Sequence, residues 1–192
     1  GTIDAVIATG SNNSSRYFEY YFSQYPHVIR KNRNSVAVLS GLESVEELKS
    51  FGEDIFRYFG LGCRNVTKLF VPRGYKFDCL FEALFPWGEE LMVNRKYMNN
   101  YEYNRTIYML NSEKMLDNNF LVIKEDINLA SPPWILFFEY YDRLETVEER
   151  LINDAESIQC VVSGLPIDKA IAFGEAQNPA TWEYADGFDT MN

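Results

Sequence analysis

Cys63 has the strongest claim to chemistry in this chain. It lies in Tyr58-Phe59-Gly60-Leu61-Gly62-Cys63-Arg64-Asn65, an irregular, glycine-flanked turn. The residues before it read as an amphipathic helix closed by Gly60, and Leu69-Phe70-Val71 after it as a short apolar strand. A thiol in such a turn is open to attack from a cleft, whereas structural cysteines sit inside apolar runs. Its chemistry would be nucleophilic. The thiolate attacks an electrophilic carbon and forms a covalent intermediate, helped by N–H groups or positive charge near the sulfur. Arg64 carries such a charge next in sequence. The alternative is a small apolar residue that only packs. Cys79 and Cys160 lie in apolar patterns, Phe77-Asp78-Cys79-Leu80-Phe81 and Ile158-Gln159-Cys160-Val161-Val162, and are expected in the core.

Four further sets of residues bear on function. Gly10 and Ser11 follow a buried-looking strand and open a helix, a place where main-chain N–H groups favour anions; an ordinary helix cap explains them equally. Glu125 ends a strand, where an ordinary solvated charge explains it. Arg30, Lys31 and Arg33 form the one basic cluster, suited to a phosphate, to a carboxylate of another subunit or simply to solvent. His27, the only histidine, is a proton donor or a structural residue.

The elements that must position these residues follow from hydrophobic spacing. Strand-like apolar runs occur at 3–8, 36–39, 67–71, 120–123, 134–140 and 158–162. Ser44-Val45-Glu46-Glu47 is a capping box, in which hydroxyl and carboxylate satisfy opposite N–H groups. It opens a helix over 44–59, with Val45, Leu48, Phe51, Ile55 and Phe59 on one face. Thr146-Val147-Glu148-Glu149 repeats that signature for a helix over 147–154. Helical patterns also cover 14–24, 76–85 and 89–111, and Pro166 suits the first turn of a helix ending before Phe173-Gly174. Tyr17, Phe18, Tyr20, Tyr21 and Phe22 cover most sides of the 14–24 helix, which fits deep burial or an interface. Alternation of strands and helices predicts an α/β fold with a mostly parallel sheet flanked by helices. One domain is expected over 1–175, with an extended tail or arm over 176–192.

Composition narrows the function. With 46% hydrophobic and 16% aromatic residues among 192, the chain can bury a real core. A net charge of −10 argues against general binding to nucleic acid, which requires a basic surface. Three widely spaced cysteines give neither a disulfide framework nor zinc-ligand spacing, so a reducing cytoplasm is the expected compartment. No apolar run reaches the length of a membrane span. Residues 3–8 read as a strand from the outset, and 189–192 end without a helix cap, the pattern expected of a domain from a longer protein.

In order along the chain, five motifs resemble the catalytic domain of the aldehyde dehydrogenase superfamily. More closely they resemble its acyl-CoA reductase branch, typified by the LuxC fatty-acyl reductases of bacterial luminescence systems. Ala8-Thr9-Gly10-Ser11 resembles a strand-to-helix turn near the cofactor. Asn34 to Leu39 resembles the strand after the family's base motif. Gly60 to Cys63 with Lys68 to Pro72 resembles the nucleophile loop and its strand. Lys124-Glu125-Asp126 with Ser131-Pro132-Pro133 resembles the acidic motif that touches the nicotinamide ribose. Ala172-Phe173-Gly174 through Ala185-Asp186-Gly187 resembles the C-terminal signature of the reductases.

The resemblance implies a thioacyl enzyme on Cys63, formed from acyl-CoA and reduced by NADPH to an aldehyde. It implies that Glu125, Gly10 and Ser11 meet the cofactor, that a coenzyme-binding domain lies upstream of this chain, and that the protein is a homo-oligomer. One departure is informative. Where hydrolytic family members carry a glutamate that activates water, this chain reads Val28-Ile29-Arg30-Lys31-Asn32-Arg33, with no carboxylate. An enzyme that hydrolyses its acyl intermediate needs that base; a reductase would lose product to it. Two alternatives remain beside the acyl-CoA reductase: a reductase of an acyl phosphate or carrier thioester, and a binding or oligomerisation module that kept the fold without the chemistry. They separate on Cys63, which an enzyme needs exposed and acidic and a packing module tolerates buried.

Overall fold

The computed structural model describes residues 3–181. They fall into two compact units, one running to Arg33 and resuming at Ala180, the other spanning 34–179.

The first unit is a β–α–β arrangement. Strand β1 (Val6–Thr9) pairs in parallel with β2 (His27–Arg30), Val6 opposite His27 and Thr9 opposite Arg30. Between them runs helix α1 (Asn12–Phe22), capped by the Ser11 hydroxyl, which accepts from the Ser14 amide at 3.1 Å. Strand β2 occupies the stretch read in sequence as an altered base motif. Tyr17, Tyr20 and Tyr21 of α1 are exposed, so of the two readings, deep burial or an interface, deep burial does not hold.

The second unit is built on a six-stranded sheet. Its strands are β3 (Asn34–Val38), β4 (Val66–Pro72), β5 (Leu116–Asp117), β6 (Val122–Glu125), β7 (Ile135–Tyr141) and β8 (Ile158–Ser163). The order across the sheet is β5-β6-β7-β4-β3-β8. Every pair is parallel except the short β5 against β6. Parallel strands buried on both faces read as near-continuous apolar runs, as Val36-Ala37-Val38-Leu39 and Leu69-Phe70-Val71 do.

Six helices are described in all. The second unit holds α2 (Val45–Phe56), α3 (Asp78–Leu84), α4 (Gly88–Val93), α5 (Arg95–Leu110) and α6 (Leu144–Asn153). Strand alternation decides which helix packs where. Ala37, Leu39, Leu69 and Val71 join Leu48, Phe51, Ile55, Leu80 and Leu91 in the larger core. Val36, Val38 and Phe70 point the other way, to Val147 and Leu151 of α6.

Four expectations are corrected. The 147–154 helix begins earlier, at Leu144, because Thr146 does not cap it; its hydroxyl donates instead to the Arg143 carbonyl at 2.7 Å. The 89–111 pattern is two helices, because Asn94 leaves helical geometry and its side chain caps α5 by accepting from Tyr97 N–H at 3.0 Å. No helix runs from Pro166 to Phe173. Turns run there, and Ile171 bridges to Val162 of β8. Cys79 is exposed rather than core. The buried residues of α3 are Leu80, Ala83 and Leu84, a helical stripe that leaves Cys79 outside it.

Candidate active site

The Cys63 turn is built from the end of α2. That helix opens with the expected capping box, Glu47 N–H donating to the Ser44 hydroxyl and Ser44 N–H to the Glu47 carboxylate at 2.8 Å. It ends at Phe56, and a tight 3₁₀ turn spans Arg57–Gly60. Tyr58 (φ 55°), Phe59 (φ 57°) and Gly60 (φ 68°) are consecutive left-handed residues. Only the glycine adopts this conformation without cost; for the other two it is unfavourable by roughly 1–2 kcal/mol each.

Asn65 is the residue that holds the strained turn. It is buried, and its amide nitrogen reaches the carbonyls of Asp54 (3.2 Å), Ile55 (3.2 Å) and Arg57 (3.0 Å). Asp54 and Ile55 lie in the last turn of the helix, where carbonyls lose their usual partner four residues on, and Arg57 opens the 3₁₀ turn. The Asn65 Oδ1 accepts from Gly62 N–H at 2.7 Å, and its own amide N–H closes on the Gly62 carbonyl at 3.0 Å. One side chain thus terminates α2 and shapes the loop that presents Cys63. The Trp134 indole adds a bond to the Phe59 carbonyl at 2.9 Å. Cys63 itself is exposed.

From the sheet side, Ser35 supports the same turn. It is buried at an irregularity of β3, and its hydroxyl donates to the Cys63 carbonyl at 2.9 Å. The Cys160 sulfur lies 3.0 Å from the Ser35 hydroxyl oxygen. Cys160 is half-buried, and burial pushes its thiol up from the ordinary value. Arg64 donates through Nε to the Ala176 carbonyl, and its positive charge acts on the Cys160 thiol.

Asp54 secures the C-terminal segment to this framework. Its carboxylate accepts from Gly174 N–H at 2.7 Å and Ala176 N–H at 2.9 Å. Burial pushes its acid up to about 6, against the opposing pull of those two N–H groups. Gly174 is required there, at φ 87° and with Ser50 atoms 3.1–3.2 Å from where a Cβ would stand. Ala176 is fully buried, so the expected arm begins as a packed turn; residues 182–192, including Ala185-Asp186-Gly187, lie outside the described residues.

Lys68, on β4, is likewise buried. Its ammonium donates to the Asp126 carbonyl and to the Glu139 carboxylate at 3.1 Å, and burial pushes it down from the ordinary lysine value. The Thr67 hydroxyl donates to the Leu129 carbonyl at 2.9 Å and Arg150 to the Ile127 carbonyl at 3.1 Å, so the loop after β6 is pinned at three points. Of the acidic motif, Lys124 and Asp126 pair with each other at 2.9 Å, while Glu125 is exposed at the end of β6. Register places Glu125 level with Phe138 and hence with Leu69 of β4, downstream of the Cys63 turn.

The remaining predicted residues lie in the first unit. Ser11 is a helix cap, and Gly10 packs closely, a Cβ there falling 2.9 Å from the Ser14 Cβ. His27 is exposed with Nδ1 2.8 Å from the Tyr25 carbonyl, and Lys31 pairs with Glu19 at 2.9 Å. Cys79 borders a cleft of about 360 Å³ between Ser40, Glu43, Arg73, Tyr75 and Lys76. That cleft lies at the carboxyl ends of β3 and β4, the opposite edge of the sheet from Cys63. Among the described residues there is no cluster able to hold a metal ion and no helix long and apolar enough to cross a membrane.

No protein-family model matches the chain, and no curated protein does. Solved structures match it in fold. A mutant indole-3-acetaldehyde dehydrogenase AldA of P. syringae, in complex with NAD+ and IAA, superposes with a TM-score of 0.61 at 14% identity, over 88% of this chain and 41% of that one. The aldehyde dehydrogenase KauB of Pseudomonas aeruginosa gives 0.60 at 14%, over 84% and 40%. A putative aldehyde dehydrogenase PutA from Anabaena variabilis gives 0.61 at 9%, over 93% and 48%. The fold is aldehyde dehydrogenase-like. The chain spans less than half the length of these neighbours.

Proposed function

We propose that the chain is the nucleophile-bearing part of an NADPH-dependent acyl-CoA reductase, with Cys63 the residue acylated. The observation that carries the reading is an exposed cysteine, on a turn fixed by Asn65 and Ser35, leading into a central strand of an aldehyde dehydrogenase-like sheet. Exposure gives Cys63 little packing role, which weighs against the module that kept only the fold.

In this reading the Cys63 thiolate attacks the thioester carbonyl, and the carbon–sulfur bond to CoA breaks. CoA leaves as a thiol after taking up a proton. A bound nicotinamide supplies a hydride. The resulting thiohemiacetal expels the Cys63 thiolate and releases an aldehyde. Of the acidic motif, Glu125 is the exposed carboxylate and would accept ribose hydroxyls. Gly10 and Ser11, at the head of α1, would stand near the cofactor. The rest of the nicotinamide site, with NADPH over NADH, belongs to a domain upstream, and assembly would be homo-oligomeric. The lack of a carboxylate over Val28–Arg33 supports reduction over hydrolysis.

The test is turnover by the polypeptide that contains this chain, with NADPH and an acyl-CoA series. The expected outcome is one aldehyde and one CoA per NADPH consumed, lost in Cys63→Ala. Free acid in place of aldehyde would sink the reductase reading; turnover only with an acyl phosphate would move it to the other donor.

A further inference from the structure

Two of the three cysteines meet at the amino edge of the sheet. Ser35 lies where β3 slips register against both β4 and β8. Such irregularities re-aim side chains, and here one hydroxyl reaches both the Cys63 carbonyl (2.9 Å) and the Cys160 sulfur (3.0 Å). With the hydroxyl hydrogen on the Cys63 carbonyl, the Cys160 thiol is the donor to Ser35. The Cys160 sulfur therefore lies within about 6 Å of the Cys63 carbonyl oxygen, two hydrogen-bond lengths at most. Cys63 is among the groups that act on the Cys160 thiol. Their exposure differs: Cys63 is open, Cys160 half-buried behind Ser35.

We propose that Cys63 and Cys160 form a peroxide-sensitive pair, in which Cys160 resolves oxidised Cys63 as a reversible disulfide. The Cys63 thiolate attacks one oxygen of hydrogen peroxide and the O–O bond breaks. Cys63 becomes a sulfenic acid, and the other oxygen takes up the proton that the Cys63 thiol gave up and leaves as water. Cys160 then attacks that sulfur. The S–O bond breaks, the hydroxide takes the proton given up by Cys160 and leaves as a second water, and the S–S bond forms. Two thiols lose two electrons and one peroxide gains them. The division of labour follows from exposure, the open thiol meeting the oxidant and the shielded one resolving it. Cys79, beyond the far ends of β3 and β4, takes no part. The pair protects Cys63 from irreversible oxidation, and it stands whether or not Cys63 is ever acylated.

The test is peptide mapping without reductant after treating the 192-residue chain with hydrogen peroxide. The expected result is a Cys63–Cys160 link, reversed by dithiothreitol, with Cys79 unlinked. In Cys160→Ala, Cys63 sulfinate should accumulate several-fold faster than in the parent. A parent map lacking the 63–160 link overturns the proposal, whatever the variants do. Equal sulfinate rates in parent and folded Cys160→Ala overturn it as well.

Discussion

Asn65 offers the sharpest test of how the turn is held. Truncation to alanine removes the acceptor for Gly62 N–H and the donor shared by three carbonyls at 3.0–3.2 Å. Each buried group left without a partner costs roughly 1–3 kcal/mol. The carbonyls keep partial alternatives at a helix end, so the sum should be about 3 kcal/mol rather than the full count. With a urea m-value of about 2 kcal/mol/M, the midpoint falls by about 1.5 M. Asn65→Asp is the more telling variant. It keeps an oxygen for Gly62 N–H but turns a second oxygen on three carbonyls, so its loss at pH 7 should match or exceed that of alanine. Because that buried carboxyl would titrate above its unfolded value, the loss should be full at neutral pH and ease as pH falls and the acid becomes a donor. Urea unfolding at pH 5 and pH 7.5, with Cys63 alkylation rates alongside, reads both effects. An Asn65→Asp chain as stable as the parent at pH 7.5 would refute the assignment.

Three other predictions follow from single residues. Asp54, pushed up to about 6 from 3.8 by burial, binds its proton more tightly folded than unfolded. Its contribution to instability is therefore full above pH 6 and relieved between pH 6 and pH 4, about 3 kcal/mol over that window; Asp54→Asn should flatten the stability–pH curve there while weakening one bond to Gly174 or Ala176. Tyr58→Gly places glycine at a left-handed, exposed position, so thermal melting should show no loss and a gain of up to about 1 kcal/mol. Ser44→Ala removes the α2 capping box and should cost about 1 kcal/mol in denaturant unfolding without changing Cys63 reactivity.

Much of the scaffold is legible in the sequence because its signals are local. The β3 and β4 runs and the Ser44–Glu47 box depend on neighbours a few residues apart, and the structure has them where the periodicity puts them. Strand β2 is hidden because four residues ending in Arg30 carry no alternation that outweighs their charge. Thr146 satisfies the capping-box spelling, yet Leu144 and Val147 reach the core by starting the helix a turn sooner. Asn94 is a residue type that favours caps, but inside a continuous helical pattern only its bond from Tyr97 N–H shows that it breaks the run. The residues that support Cys63 are harder. Asn65, Ser35 and Lys68 act through partners as far as 125 positions away, and no spacing marks them. Asp54 alone leaves a trace, a carboxylate three residues past Phe51 beside the apolar stripe of α2. Cys63 was visible because glycines flank it; Cys79 misled because apolar sequence neighbours are not helical-face neighbours.

The most direct measurement of the central claim is acyl transfer from a labelled acyl-CoA, located by peptide mapping on the folded protein. Cys63 and Cys79 are both exposed, so Cys79 is the internal control for plain accessibility. The expected result is a hydroxylamine-sensitive acyl group on Cys63, with Cys79 and Cys160 unlabelled. Equal labelling of Cys79, or a folded protein whose Cys63 stays free, would contradict the account.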